Sequence, residues 1–141
     1  MFGYLRILGM VVSLLVLFVI SACAVSTAGE VLAGAGEDGK QIQLKPGQAL
    51  LVRLESNITT GYSWAIASLD GDALRSSGEP EYEAPAGGTN QRVGAGGSQV
   101  FRFQAASAGT ATLQLAYRRP WEKDTPPVRT YHLTVVVAPN K

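Results

Sequence analysis

From Gln41 to Val137 the apolar residues recur at every second position, and no stretch beyond residue 23 carries an apolar stripe of helical period. Ile42 and Leu44 alternate with Gln41 and Gln43. Leu50, Val52 and Leu54 fall on one side of the next run, Arg53 and Glu55 on the other. Tyr62, Trp64 and Ile66 alternate with Ser63, Ala65 and Ala67. Phe101 and Phe103, then Ala111, Leu113, Leu115 and Tyr117, then Tyr131, Leu133, Val135 and Val137 repeat the pattern. Each run predicts a strand with one buried and one solvated face. Turn residues separate the runs, as at Pro46-Gly47 and Asp70-Gly71-Asp72. Tyr82, between Pro80 and Pro85, predicts a short edge strand, because proline cannot donate to a central ladder. Seven to eight such strands predict an all-β domain, an immunoglobulin-like antiparallel β-sandwich.

The N-terminal region departs from this period. Arg6, the apolar run Ile7–Ile20 and the small residues Ser21, Ala22, Cys23 and Ala24 have the layout of a secretion signal. The apolar run is too short for a spanning helix, which needs about 20 residues. Ile20-Ser21-Ala22-Cys23 has the form of a bacterial lipobox, which makes residues 1–22 a signal peptide and Cys23 a lipidated first residue. Ala22-Cys23-Ala24 also fits the small-x-small pattern of an ordinary signal peptidase. On the lipobox reading, acyl chains hold the domain to a membrane by hydrocarbon burial, about 0.8 kcal/mol per methylene. Alanine after Cys23 resembles the outer-membrane sorting pattern, so an outer-membrane lipoprotein, a periplasmic or a secreted protein is expected. Residues 23–40, rich in Gly, Ala and acidic side chains, read as a flexible tether, and residues 41–141 as the domain.

Twelve basic and 11 acidic residues leave a net charge of +1, which argues against a nucleic-acid partner. Cys23 is the single cysteine, so a mature domain has no internal disulfide and no thiolate centre. His132 is the single histidine, and the strand period places it on a solvent-facing surface. Asp70 and Asp72 around Gly71 fit a turn better than a calcium loop. No nucleophile–base pair and no metal-ligand cluster stands out. The chain reads as a monomeric binding protein without cofactor or metal, and not as an enzyme.

Three loop-like segments interrupt the strands. Asn57-Ile58-Thr59-Thr60-Gly61-Tyr62 has a glycine for positive φ, an asparagine that can bond to nearby backbone, and two stiff β-branched threonines. On the plain reading it is a β-arch with polar residues facing water. Gly94-Ala95-Gly96-Gly97 ends a glycine-rich stretch from Pro85 that is long for a compact domain. It is either a flexible turn or a place where another backbone can approach closely. Arg119-Pro120-Trp121-Glu122 places a tryptophan in a polar loop, and Trp and Arg are enriched at binding hot spots. The alternative is a tryptophan folded back over the end of the sandwich. Loops of such a sandwich alternate between its two ends, which puts these three at one end.

In this order and spacing, over Gln41 to Val137, the three segments resemble the chagasin family of protein inhibitors of papain-like cysteine peptidases. Ile58 departs from the pattern, standing where the family usually has proline. The resemblance implies an immunoglobulin-like sandwich that wedges three loops reversibly into a peptidase cleft. Asn57, Ile58, Thr59, Thr60, Gly61 and Tyr62 would enter the active site. Gly94, Ala95, Gly96 and Gly97 would line one flank. Arg119, Pro120 and Trp121 would grip the opposite wall. The alternative is a cell-envelope lipoprotein that binds another protein through the same loops, with the membrane involved only through its anchor.

Overall fold

The computed structural model describes residues 29–86 and 94–140. The expected signal peptide, Cys23, and part of the glycine-rich stretch lie outside the described residues. Nine strands run in chain order: β1 (Glu30–Ala33), β2 (Lys40–Leu44), β3 (Ala49–Ser56), β4 (Ser63–Asp70), β5 (Leu74–Ser76), β6 (Glu81–Glu83), β7 (Gly97–Ala105), β8 (Gly109–Arg118) and β9 (Arg129–Val137). One sheet has the order β1-β3-β7-β5, with β6 also paired to β7. The other has the order β2-β9-β8-β4. The expected all-β sandwich is therefore present, with a finer composition than the period suggests. The interior pairings are antiparallel, while β1 joins β3 and β2 joins β9 in parallel.

The inward faces meet as the alternation predicts. Leu50, Val52, Leu54, Phe101 and Phe103 from one sheet pack against Ala111, Leu113, Leu115, Tyr131, Leu133 and Val135 from the other, all buried. Burying each large apolar side chain contributes about 1.5–3 kcal/mol. β4 departs from strict alternation. Ile66 pairs with Leu115 but Ser68 pairs with Gln114, so Ala67 is the extra residue of a bulge. The bulge shifts the phase and turns Leu69 to the same face as Leu113, where it packs against the core. Ile66, on this edge strand, stays 38% exposed rather than joining Trp64 inside.

The tether expected over residues 23–40 is corrected over its described part. β1 pairs with β3 from Glu30↔Ala49 to Ala33↔Val52, and Ala33 is fully buried. A single-turn 3-10 helix at Ala35–Glu37 follows, with the Glu37 carboxylate accepting the Gly34 N–H at 2.7 Å. The Asp38 carboxylate accepts the His132 N–H at 2.8 Å, and Gly39 N–H donates to the His132 carbonyl at 2.8 Å. This segment is held by backbone pairing, with only Val31 and Ala33 turned to the core. Two inward residues, one of them alanine, make no readable period.

Tyr131 lies inside, and its hydroxyl has no hydrogen-bond partner among the described residues. Burial, reinforced by the Glu37 and Asp38 carboxylates, raises its pKa from 10.0 to about 12. The unfolded chain releases this proton near pH 10, whereas the folded chain keeps it to about 12. The stabilisation is therefore complete below pH 10 and is lost as pH rises through that window. Tyr131→Phe removes an unpaired buried hydroxyl, so it leaves stability at neutral pH unchanged or slightly higher. Urea midpoints of the two proteins should diverge between pH 10 and 12, with the phenylalanine variant falling less. Parallel midpoints across that range would refute this account.

Candidate functional site

The segment between β3 and β4 folds into a single-turn 3-10 helix, Ile58–Thr60, capped at both ends. Asn57 organises it. Its Oδ1 accepts from Thr59 N–H at 3.2 Å and from Thr59 Oγ1 at 2.6 Å. Its carbonyl accepts from Thr60 N–H at 3.2 Å and from Thr60 Oγ1 at 2.6 Å. Its own N–H donates to the Tyr117 hydroxyl at 3.0 Å, which ties the turn to β8. Gly61 ends the turn at φ +80°, a conformation that disfavours any side chain. Ile58, Thr59 and Thr60 form an exposed tip, with Ile58 in the first position of the turn.

The other two segments close on this turn from either side. Asn57 Nδ2 donates to the Gly94 carbonyl at 3.1 Å. Gly96 lies close to the Ser56 carbonyl and Asn57 Cβ. On the opposite side, Arg119 Nε donates to the Thr60 carbonyl at 3.2 Å. The Arg119 guanidinium also covers the Tyr62 ring at 4.6 Å, and Tyr62 stacks on Tyr117 with ring centroids 5.6 Å apart. Trp121 leans against Gly61, where an added Cβ would stand 2.5 Å from the indole. Trp121 is nonetheless 67% exposed, so it is no plug over the core. The structure thus brings all three expected segments together as one edge, joined by hydrogen bonds from loop to loop.

Not every residue of the three segments presents itself in the same way. Gly97 opens β7 opposite Ser56 on one side, and β6 pairs with β7 on the other, from Glu83↔Ser98 to Glu81↔Val100. A side chain there would collide with the Glu83 carbonyl and the Tyr82 ring, so Gly97 serves close packing beneath the edge. Besides its pairing with β7, β6 is tied to its sheet by Arg53–Glu83 at 2.7 Å and Arg102–Glu81 at 2.8 Å. Exposed ion pairs of this kind contribute little stability, but they fix where the chain departs toward Gly94.

One residue outside the segments matters as much. Gln99 is buried on β7, and its side chain crosses to the other sheet. Its Oε1 accepts from Ser56 Oγ at 2.8 Å and from Trp64 N–H at 2.6 Å, and its Nε2 donates to the Trp64 carbonyl at 3.2 Å. The Trp64 indole N–H donates to the Glu55 carbonyl at 2.9 Å. The end of β3 and the start of β4, which flank the turn, are locked together. The sequence does carry a trace of this: Gln99 is the polar residue at an inward position of the run that continues through Phe101 and Phe103.

The edge offers hydroxyls, backbone groups, one cation and one indole for contact. Among the described residues, no three His, Cys, Asp or Glu side chains cluster to hold a metal ion.

Comparison with known proteins covers all three segments. Residues 43–135 match the sequence profile described as chagasin family peptidase inhibitor I42. Amoebiasin-2 of Entamoeba histolytica is 28% identical over 107 residues, covering 72% of this chain and 80% of that protein. Chagasin of Trypanosoma cruzi is 30% identical over 87 residues, covering 60% of this chain and 76% of that protein. Among solved structures, a cysteine protease inhibitor from Entamoeba histolytica superposes with a TM-score of 0.67 at 25% identity, over 77% of this chain and 96% of that one.

Gly61→Ala tests the contact that joins the first and third segments. The new methyl group meets the indole and the left-handed backbone is strained, so the variant should lose about 1–2 kcal/mol and release Trp121. Acrylamide quenching of the tryptophan emission should rise. Unchanged quenching and unchanged stability would show that the two segments do not bear on each other.

Proposed function

Because the chain belongs to the chagasin family of peptidase inhibitors, we propose that it blocks papain-like cysteine peptidases reversibly by seating its three-segment edge in their active-site cleft. The observation that carries this reading is the mutual locking of the segments, Asn57 to Gly94 on one side and Arg119 to Thr60 on the other. An edge that is rigid before contact surrenders little conformational entropy on binding.

The Thr59-Thr60 tip would approach the catalytic cysteine and histidine. A substrate lies in such a cleft as an extended strand, pairing through its backbone. The tip is a 3-10 turn instead, with the Asn57, Ile58 and Thr60 carbonyls already accepting hydrogen bonds from within the edge. It fills the cleft without presenting a peptide bond in productive register. Gly94, Ala95 and Gly96 would offer backbone to one wall, with Gly97 supporting them from below. Arg119, Pro120 and Trp121 would meet the other wall, where the exposed indole supplies apolar area at low entropic cost.

Titration of papain with the chain is the direct test. Reversible inhibition that leaves the inhibitor uncleaved is expected, and Trp121→Ala should raise Ki about thirtyfold, as loss of a hot spot worth about 2 kcal/mol does. Full papain activity at micromolar inhibitor would overturn the reading.

We also propose that Cys23 is lipidated and anchors the domain at a cell envelope, a reading supported by the lone cysteine following Ile20-Ser21-Ala22. Mass spectrometry of the mature N-terminus should find a diacylglyceryl-modified Cys23. An unmodified terminus at a neighbouring residue would rule the anchor out.

A further inference from the structure

The Arg-Pro-Trp segment touches the central turn through Arg119 and Trp121, but most of the indole surface faces solvent. Something must hold this loop in place before any partner arrives. Arg118, the last residue of β8, does so. Its inward neighbour Tyr117 packs in the core, so Arg118 leaves the opposite face of the sheet. Its Nη2 donates to the carbonyls of Glu122 at 2.5 Å, Lys123 at 2.8 Å and Thr125 at 3.3 Å. Three carbonyls from one short exposed stretch therefore converge on a single guanidinium nitrogen. Charge-assisted hydrogen bonds of this kind are roughly twice as strong as neutral ones.

Glu122 is held three times. Its carbonyl goes to Arg118, while its carboxylate pairs with Arg119 Nη1 at 3.2 Å. Its N–H donates to the Arg119 carbonyl at 3.1 Å, which closes the turn around Pro120 and Trp121. Farther along, Val128 N–H donates to the Tyr117 carbonyl at 3.0 Å and returns the chain to β9. Arg118 is the side chain that reaches the middle of this loop. We propose that Arg118 is a positioning residue of the inhibitory edge: it gathers the Glu122–Thr125 backbone and so presents Trp121 at a fixed place beside Gly61. It acts through the loop and not by touching the peptidase. The proposal rests on the inhibitory reading given above, because its effect is read as affinity. If the loop adopts its binding form only part of the time, apparent affinity falls by that fraction.

The full chain carrying Arg118→Ala, Arg118→Gln or Arg118→Lys is compared with the unaltered chain and with Trp121→Ala. Papain inhibition, the unfolding midpoint and backbone order parameters of residues 119–125 in the free inhibitor are measured. Arg118→Ala and Arg118→Gln should raise Ki about tenfold at any salt concentration, with the midpoint little changed. Order parameters should drop from about 0.85 toward 0.6 in that segment alone. Arg118→Lys, which keeps a cation with three donors, should recover most of the affinity. Added to Trp121→Ala, Arg118→Ala should change Ki less than twofold, because the side chain it positions is already gone. Unchanged order parameters would overturn the proposal. So would an effect confined to the association rate that disappears in high salt, which marks a direct charge contact, or a full tenfold loss persisting without Trp121. Failure of the unaltered chain to inhibit papain would instead strike the functional reading, leaving the order parameters to decide whether Arg118 clips the loop.

Discussion

The Gln99 amide is the constraint on which the edge depends. β4 is an edge strand, so the outward N–H and C=O of Trp64 have no neighbouring strand to pair with. Gln99 supplies both missing partners from the facing sheet, and its oxygen also takes the Ser56 hydroxyl. One side chain thereby imitates a short piece of strand between two sheets whose facing surfaces are mostly apolar. Such a network is worth having only when it is complete, because an unpaired amide at that depth costs about 1–3 kcal/mol. Here both polar ends of the Gln99 side chain are engaged. The two strands flanking the central turn are held at a fixed separation, and the turn inherits that spacing.

Above this base, rigidity is passed outward by small polar groups. Asn57 holds the turn, Tyr117 holds Asn57, and Arg119 bridges from the turn to the tryptophan loop. Tyr117 serves twice, with its ring in the core against Trp64 and its hydroxyl on the Asn57 N–H. Arg129 lies over the Tyr117 ring at 4.8 Å. Core packing and loop geometry are therefore one continuous structure.

Much of this was legible in the sequence, for stated reasons. Long strands with one apolar face announce themselves, as β3, β7, β8 and β9 do. Loops that alternate between the ends of a sandwich must gather in groups, so the convergence of the three segments followed from their order. β1 was missed because its contribution is backbone pairing with a single buried alanine. β5 is three residues long, too short for a period, and the parallel partners of β1 and β2 depend on sheet edges that no local pattern records. The bulge at Ala67 escaped because alanine is silent about which face it takes. Arg118 could not have been singled out either: an arginine after a strand reads as a solvated charge until the carbonyls around it are seen.

The same distribution of duties bears on residue 58. A proline at this position would stiffen the turn by fixing φ, yet here Asn57 engages both ends of its side chain and both of its backbone polar groups to the same end. None of the hydrogen bonds that shape the tip involves the side chain of Ile58. Its side chain stands 47% exposed on the turn. A side chain that takes no share in holding the turn can be exchanged without loosening the backbone that carries it.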